Sequence, residues 1–91
     1  MNIRMLGSLR RIVDEEELSF AGEAEVDEAI EKLVERHRPE FQRQLSDPHP
    51  QNIAQSALIM LNGVEINNLN GLRTRLSDDD KLVIIPVAHG G

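Results

Sequence analysis

The two glycines that close the sequence, Gly90 and Gly91, are the residues whose type and position best fit a chemical role. Two residues without side chains, followed by a free carboxylate, suit a tail that must enter a narrow space. The chain has no cysteine, so it has no thiol nucleophile, thiolate metal site or disulfide. His89 has no second metal ligand near it in the sequence, and we expect it to contact a partner rather than a metal. The predicted reactive group is the carboxylate of Gly91.

A chain of 91 residues, 40% of them hydrophobic, is long enough for one small domain. Its core must be aliphatic, because two phenylalanines are the only aromatic residues of the Phe, Trp and Tyr class. The net charge of -6 argues against a nucleic-acid-binding protein and is compatible with a basic protein partner. Residues 1–13 contain three arginines and no apolar stretch typical of a signal peptide, and no run is long enough for a membrane span. We therefore expect a cytoplasmic protein that binds neither nucleic acid nor membrane.

The N-terminal quarter is predicted to form a hairpin of two strands. Residues 2–6 alternate between apolar and polar side chains, and Gly7 follows as a strand end. Residues 9–13 are mixed and fit a turn or a short helical piece. The acidic run 14–17 has the composition of a solvated turn. Residues 18–21 alternate again, which predicts the second strand there.

The clearest helix is predicted over residues 25–37. Acidic residues crowd its start and basic residues its end, which complements the helix dipole. Its apolar positions recur at spacings of three and four and form one stripe with His37 at the boundary: Val26, Ala29, Ile30, Leu33 and Val34. Pro39 ends or restarts the helix, so a further helical turn is predicted over 39–45. Residues 46–55 contain two prolines and no periodicity, which predicts a loop with His49 at its surface.

The C-terminal half is predicted to supply three more strands. Residues 57–61 are apolar throughout and few in number, which predicts a buried strand. The dipeptide Asn62-Gly63 after them is the strongest hairpin signal in the sequence. Residues 64–66 return as a short strand. Residues 81–87 include a run that is apolar on both faces, which is typical of a central buried strand. The polar segment between them carries three leucines expected to reach the core: Leu69, Leu72 and Leu76.

These elements assemble most simply as an α+β, ubiquitin-like β-grasp. The two hairpins lie on either side, and the last strand fills the central place parallel to the first. A mixed sheet of four to five strands then packs against one main helix. We expect residues 1–87 to form this domain and residues 88–91 to form a flexible diglycine tail.

The sequence resembles the MoaD/ThiS family of ubiquitin-like sulfur carriers over nearly its whole length. The resemblance rests on GSLRRIV after the first strand, IMLNGVEI at the hairpin and NGLRTRLSDDDKLVIIPVAHGG at the end. It implies a carrier protein that is not itself an enzyme and that holds no cofactor. An activating enzyme would use ATP to adenylate Gly91, and sulfur would then displace AMP to leave a thiocarboxylate. In the small-subunit branch, a large synthase subunit uses this sulfur to make molybdopterin.

Two departures from the family pattern leave the downstream partner open. Val87 stands where the family's small subunits have a second proline, and His89 precedes the diglycine. An HGG ending resembles the ubiquitin-related modifier branch, which supplies sulfur for tRNA thiolation and is conjugated to lysines. Arg73 and Arg75 stand where the family tends to have an acid and a proline. The alternatives are therefore a molybdopterin synthase subunit, a protein modifier, and an interaction domain whose diglycine is incidental.

Partner contacts are expected at the end of the last strand and in the tail. Ala88, His89 and Gly90 would lie with Gly91 in the partner's channel. Side chains alternate along a strand, so if Leu82 and Ile84 face the helix, the next residues face away from it. The predicted docking surface is therefore Val83, Ile85 and Val87, with Arg73 and Arg75 available to an acidic partner surface.

Overall fold

The computed structural model describes residues 1–87, and residues 88–91 lie outside its described part. The division into a domain and a tail therefore stays a prediction. The strands are β1 (Asn2–Met5), β2 (Glu15–Glu17), β3 (Ala24–Glu25), β4 (Ala57–Leu61), β5 (Val64–Glu65), β6 (Arg75–Leu76) and β7 (Lys81–Pro86). The α-helices are α1 (Val26–Arg36), α2 (Arg38–Gln44) and α3 (Pro50–Ser56). Short 3₁₀ helices cover Gly7–Arg11, Ile66–Asn68 and Gly71–Arg73.

The main sheet has the strand order β2-β1-β7-β4-β5. Strand β7 lies in its centre, parallel to β1 and antiparallel to β4. Strands β3 and β6 form a separate antiparallel pair. The fold is the α+β, ubiquitin-like β-grasp expected from the order of elements, with the last strand at the centre.

Helix α1 begins at a capping box. The Glu28 side chain accepts a hydrogen bond from the backbone N–H of Glu25, and the Glu25 side chain caps the helix in return. The helix ends at Arg36, and the N–H of the next residue, His37, still bonds to the carbonyls of Leu33 and Val34. The five apolar stripe residues are all buried, so the spacing predicted both the helix and its buried face.

The core lies between α1 and one face of the main sheet. Ile3, Leu82 and Ile84 of the central strands have exposures of 1% or less, as does Ile30 of α1. Phe41 of α2 and Ile53 of α3 join the same cluster. Among residues 1–87, no helix has the length and apolar character that a membrane span requires.

The second strand is not where the sequence pattern placed it. The acidic run forms β2 at Glu15–Glu17, paired with β1 through Asn2 opposite Glu17 and Arg4 opposite Glu15. The prediction of a solvated turn over 14–17 and of a strand over 18–21 is therefore wrong. The physical reason is that Glu16 finds partners on α1, so an acid can occupy the covered side of the strand. Leu18 enters the core just after the strand, at 1% exposure.

Smaller differences concern the segments on either side of the β4–β5 hairpin. The predicted loop over 46–55 contains α3, because Pro50 stands in its first turn and His49 caps it by accepting from the Gln51 N–H at 3.3 Å. Ile66 begins a 3₁₀ helix instead of extending β5. Leu69 is 42% exposed, so its predicted core position is wrong. Leu72 and Leu76 pack partly buried against the core, as expected.

Candidate functional site

The central strand β7 places alternate side chains on opposite faces of the sheet. Leu82 and Ile84 face the core at 0% and 1% exposure. Val83 and Ile85 are only partly buried on the other face. The orientation inferred from strand alternation is confirmed, and these two side chains lie on the face that points away from the core.

Strand β4 extends this apolar surface. Met60 lies directly opposite Val83, and Leu58 lies opposite Ile85. Side chains that face each other across a strand pair lie on the same side of the sheet and touch. We call these four residues, Leu58, Met60, Val83 and Ile85, the open-face patch.

The contribution of β4 to the open-face patch does not follow from its sequence pattern. That pattern predicts a buried strand over 57–61, whereas Leu58 and Met60 are only partly buried and alternate with the buried residues Ala57, Ile59 and Leu61. Because every residue in that strand is apolar, hydrophobicity alone gave no alternating signal. Pairing with β7 was the available clue, since partners of Val83 and Ile85 must share their face.

Two backbone hydrogen bonds hold the C-terminal end of β7. The Val87 N–H donates to the Ser56 carbonyl at 3.0 Å, and the Leu6 N–H donates to the Ile84 carbonyl at 3.0 Å. Pro86 lies against Gly7, which has φ +58°, and a Cβ added at Gly7 would meet the Pro86 Cγ at 2.8 Å. Val87 itself is 49% exposed. These contacts determine where the last described residue is held.

The predicted reactive residue Gly91 lies outside the described residues, as do Ala88, His89 and Gly90. Their roles stay predictions. Gly7 and Ser56, which hold the strand end that precedes them, were not identified from the sequence. In the sequence, Gly7 indicates only the end of a strand. Its positive φ and its contact with Pro86 depend on the tertiary structure.

Arg73 and Arg75 lie away from the open-face patch. Arg73 is in the 3₁₀ helix Gly71–Arg73, and Arg75 is in β6, where it pairs with Glu23 at 3.2 Å. Thr74 between them is buried; its Oγ1 donates to the Gly71 carbonyl at 2.7 Å and accepts from the Asn70 N–H at 3.0 Å. Its carbonyl accepts from the Val26 N–H at the start of α1. The structure therefore places Arg75 on the β3–β6 pair and Arg73 in the 3₁₀ helix that precedes it, and neither lies on β4 or β7 with the open-face patch.

Two groups of charged residues have structural explanations. The carboxylates of Glu25, Asp27 and Glu28 lie within 4.8 Å of one another, but they serve the capping of α1. Glu16 accepts hydrogen bonds from Arg36 at 2.9 Å and pairs with the His37 ring at 2.7 Å. Burial alone would raise the pKa of Glu16, but these hydrogen bonds and charges outweigh it and lower the pKa from its ordinary value of 4.5. This cluster fastens the edge strand β2 to the end of α1.

Comparison with known proteins identifies the family. The model of the ThiS family matches residues 3–91, which is almost the entire chain. The chain belongs to the ThiS family. The resemblance to MoaD/ThiS sulfur carriers is thereby confirmed. Among curated proteins, none matches the chain significantly.

Solved structures agree with this ThiS-family fold. The small archaeal modifier protein 1 of Methanosarcina acetivorans is 24% identical with a TM-score of 0.71, covering 99% of this chain and 94% of that one. The putative molybdopterin converting factor subunit 1 of Pyrococcus furiosus is 22% identical with a TM-score of 0.70, covering 96% and 95%. The Amycolatopsis orientalis BexX/CysO complex contains a chain that is 22% identical with a TM-score of 0.72, covering 99% and 98%. At these identities the likeness establishes the fold.

Proposed function

We propose that this chain is a sulfur carrier whose C-terminal Gly91 is adenylated and converted to a thiocarboxylate. The observation that carries the proposal is the ThiS-family match, which continues through Gly91. The fold supports it, because the central strand leads directly to the tail and its end is held between Gly7 and Ser56. The chain would act as a co-substrate or small subunit, and not as an enzyme by itself.

The chemistry requires activation because a carboxylate is a poor electrophile. A carboxylate oxygen of Gly91 attacks the α-phosphorus of ATP on an activating enzyme, and pyrophosphate leaves. A persulfide then attacks the acyl carbon and AMP leaves, since adenylate is a good leaving group. Reduction of the resulting acyl disulfide by a thiol releases the thiocarboxylate. All of these groups come from ATP and the partner enzymes, while the chain supplies Gly91.

Docking is the task that residues 1–87 would perform. The open-face patch is apolar and lies on the sheet face opposite the core. A contiguous apolar surface next to charged residues is typical of a protein interface. We propose that the activating enzyme and the sulfur acceptor dock here in turn, with Val87 at the margin of the contact and the tail extending into the partner's active site.

We propose molybdopterin synthesis as the pathway that accepts the sulfur, with a large synthase subunit as the partner. Support comes from the NG hairpin and the acidic turn, which occur in the order that the MoaD/ThiS family has. A fold neighbour described as a putative molybdopterin converting factor subunit is consistent with this pathway.

A protein modifier is the second candidate function. The ending His89-Gly90-Gly91 favours it, and one fold neighbour is described as a small archaeal modifier protein. In that role the activated Gly91 carbonyl would form an isopeptide bond with lysines of target proteins, and it could also provide sulfur for tRNA thiolation.

Mass spectrometry of the protein from its native cells tests these functions. A gain of about 16 Da on Gly91, from oxygen to sulfur, is expected for a carrier. A Gly-Gly remnant on lysines of other proteins is expected for a modifier. Neither product, in cells that contain the activating enzyme, would contradict both functions.

Two variants of the tail provide the matched control. Deletion of Gly91 removes the predicted reactive residue, and one alanine added after Gly91 keeps every residue but moves the carboxylate. Both should keep the fold, because the core is built from residues 1–87. Both should lose the mass gain, and sulfur transfer by either variant would refute the role of Gly91.

A further inference from the structure

A charged hollow lies beside the open-face patch on the same face of the sheet. It has a volume of about 320 Å³ and is lined by Asn2 and Arg4 of β1, Glu15 and Glu17 of β2, and Lys81 and Val83 of β7. All six side chains share one face, because Asn2 lies opposite both Glu17 and Lys81, and Arg4 lies opposite both Glu15 and Val83.

The two carboxylates of the hollow already have partners, whereas its lysine does not. Glu15 pairs with Arg4 at 3.9 Å. Glu17 accepts from the Asn2 side-chain amide at 3.0 Å and lies 3.9 Å from the Met1 nitrogen. Lys81 forms no ion pair with any residue from 1 to 87. The four charged side chains of the hollow sum to zero, and Lys81 is the one among them that has no ion pair with residues 1–87.

The backbone of Lys81 is fixed even though its side chain is exposed. Its N–H donates to the Asn62 Oδ1 at 2.9 Å, and its carbonyl accepts from the Asn62 N–H at 2.9 Å. Two residues further along β7, Val83 lies both at the hollow and in the open-face patch. A partner that covers the patch must therefore also cover the hollow or lie at its edge.

Other cations without an ion pair among the described residues lie elsewhere. Lys32 of α1 donates to the Ser19 carbonyl and lies over the Phe20 ring. Arg38 and Arg43 belong to α2, while Arg11 and Arg73 belong to 3₁₀ helices. Isolated surface cations of this kind are usually solvated. Lys81 differs from them by its place on the sheet, within a concave surface that adjoins an apolar one.

We propose that Lys81 is a specificity-determining contact which receives an aspartate or glutamate side chain of the activating enzyme. The inference rests on the proposed function and names the chemistry of its partner. The open-face patch provides apolar contact area, and the lysine at its rim selects a partner with a carboxylate at the matching position. A charge at the rim of an interface acts mainly on association rate, salt dependence and choice of partner.

Binding of the full chain to its activating enzyme, measured by titration calorimetry, tests this assignment. Lys81→Glu should weaken binding about tenfold at low salt, because it replaces an attraction with a repulsion. The loss should shrink at about 500 mM salt, where exposed charges are screened. Lys81→Arg should keep near wild-type affinity. Arg43→Glu, the same charge reversal on α2, should leave affinity unchanged.

The possible outcomes separate this inference from the proposed function. Wild-type affinity for Lys81→Glu, together with weakened binding by Ile85→Asp, would overturn the role of Lys81 and leave docking by the patch intact. Equal losses for Lys81→Glu and Arg43→Glu would also overturn it, because net charge alone would then explain the effect. If the wild-type chain does not bind the activating enzyme, both the proposed function and this inference are contradicted. Lys81→Ala, which adds no repulsion, should give a smaller loss with the same salt dependence.

Discussion

The two faces of the main sheet differ in what the chain itself covers. On one face Leu82 and Ile84 belong to a core shared with α1. On the other face Val83 and Ile85, from the same strand, remain partly exposed beside Met60. One central strand therefore supplies both the anchor of the fold and the surface that a partner would cover. Apolar side chains on the first face determine stability, and those on the second face are free to determine binding.

The largest expected effect contrasts two neighbouring isoleucines. Ile84→Ala should lower the free energy of unfolding by about 2 to 5 kcal/mol, because the side chain is 1% exposed and its removal leaves a cavity. Ile85→Ala, the same change one residue later, should cost about 1 kcal/mol or less. Urea denaturation measures both values. Equal losses of unfolding free energy would mean that Ile85 contributes to stability as much as Ile84 does, which would contradict the proposed difference between the two faces.

The second contrast concerns binding, which we expect to depend on the open-face patch and not on other exposed apolar residues. Ile85→Asp should weaken binding to the activating enzyme by about 10- to 100-fold, because it places a charge in the centre of an apolar contact. Leu69→Asp is the control, since Leu69 is 42% exposed and lies outside the open-face patch. Calorimetric titration of both variants, after circular dichroism confirms their folding, measures the difference. Equal binding by the two variants would contradict docking at the patch.

The third contrast concerns the C-terminal end of β7, where Pro86 packs against Gly7. Gly7 and Gly71 have nearly equal backbone angles, φ +58° and +59°, but only Gly7 has a neighbour, Pro86, in the space of a Cβ. Gly71→Ala should cost about 1 kcal/mol from backbone strain alone. Gly7→Ala should cost about 2 kcal/mol, because Pro86 must also move.

Thermal unfolding of the two glycine variants checks this difference. If Gly7→Ala shifts Pro86, it should also slow adenylation of Gly91 more than Gly71→Ala does. A rate equal to that of the Gly71 variant would mean that the position of Pro86 does not affect presentation of the tail.

Much of the covered face could be predicted from the sequence because its signals are periodic and apolar. The stripe on α1 and the alternation in β1 each report one buried face, and the apolar run of β7 fixed its central place. The family pattern predicts the tail at residues 88–91, which lie outside the described residues, so the tail stays a prediction. The Asn62-Gly63 turn was recognisable because both residues adopt positive φ, 50° and 84°.

The open face and the edge of the sheet were harder to predict because their signals depend on tertiary contacts. Met60 faces outward in a strand with no polar residue, so only its pairing with Val83 reveals its side. Strand β2 is composed of three glutamates, which local propensity disfavours in a strand. Its position depends on Arg36 and His37, about twenty residues away in the sequence.

The smallest expected effect contrasts glutamates on the two sides of β2. Glu16 faces α1 and bonds to Arg36 and His37, whereas Glu15 faces the open side and pairs with the exposed Arg4. At pH 7, Glu16→Gln should cost about 1 kcal/mol by weakening these charged hydrogen bonds. Glu15→Gln should cost only a few tenths of a kcal/mol, as is usual for exposed pairs.

The pH dependence of that cost follows from the lowered pKa of Glu16. Because the pKa is below its ordinary value of 4.5 in the folded chain, the stabilisation is complete above that value and is lost as pH falls through the folded pKa. The difference in unfolding free energy between wild type and Glu16→Gln should therefore shrink as the pH falls below about 4. A difference that grew on acidification would mean that the charged, partly buried carboxylate of Glu16 destabilises the fold and that its bonds to Arg36 and His37 do not outweigh the cost of burial.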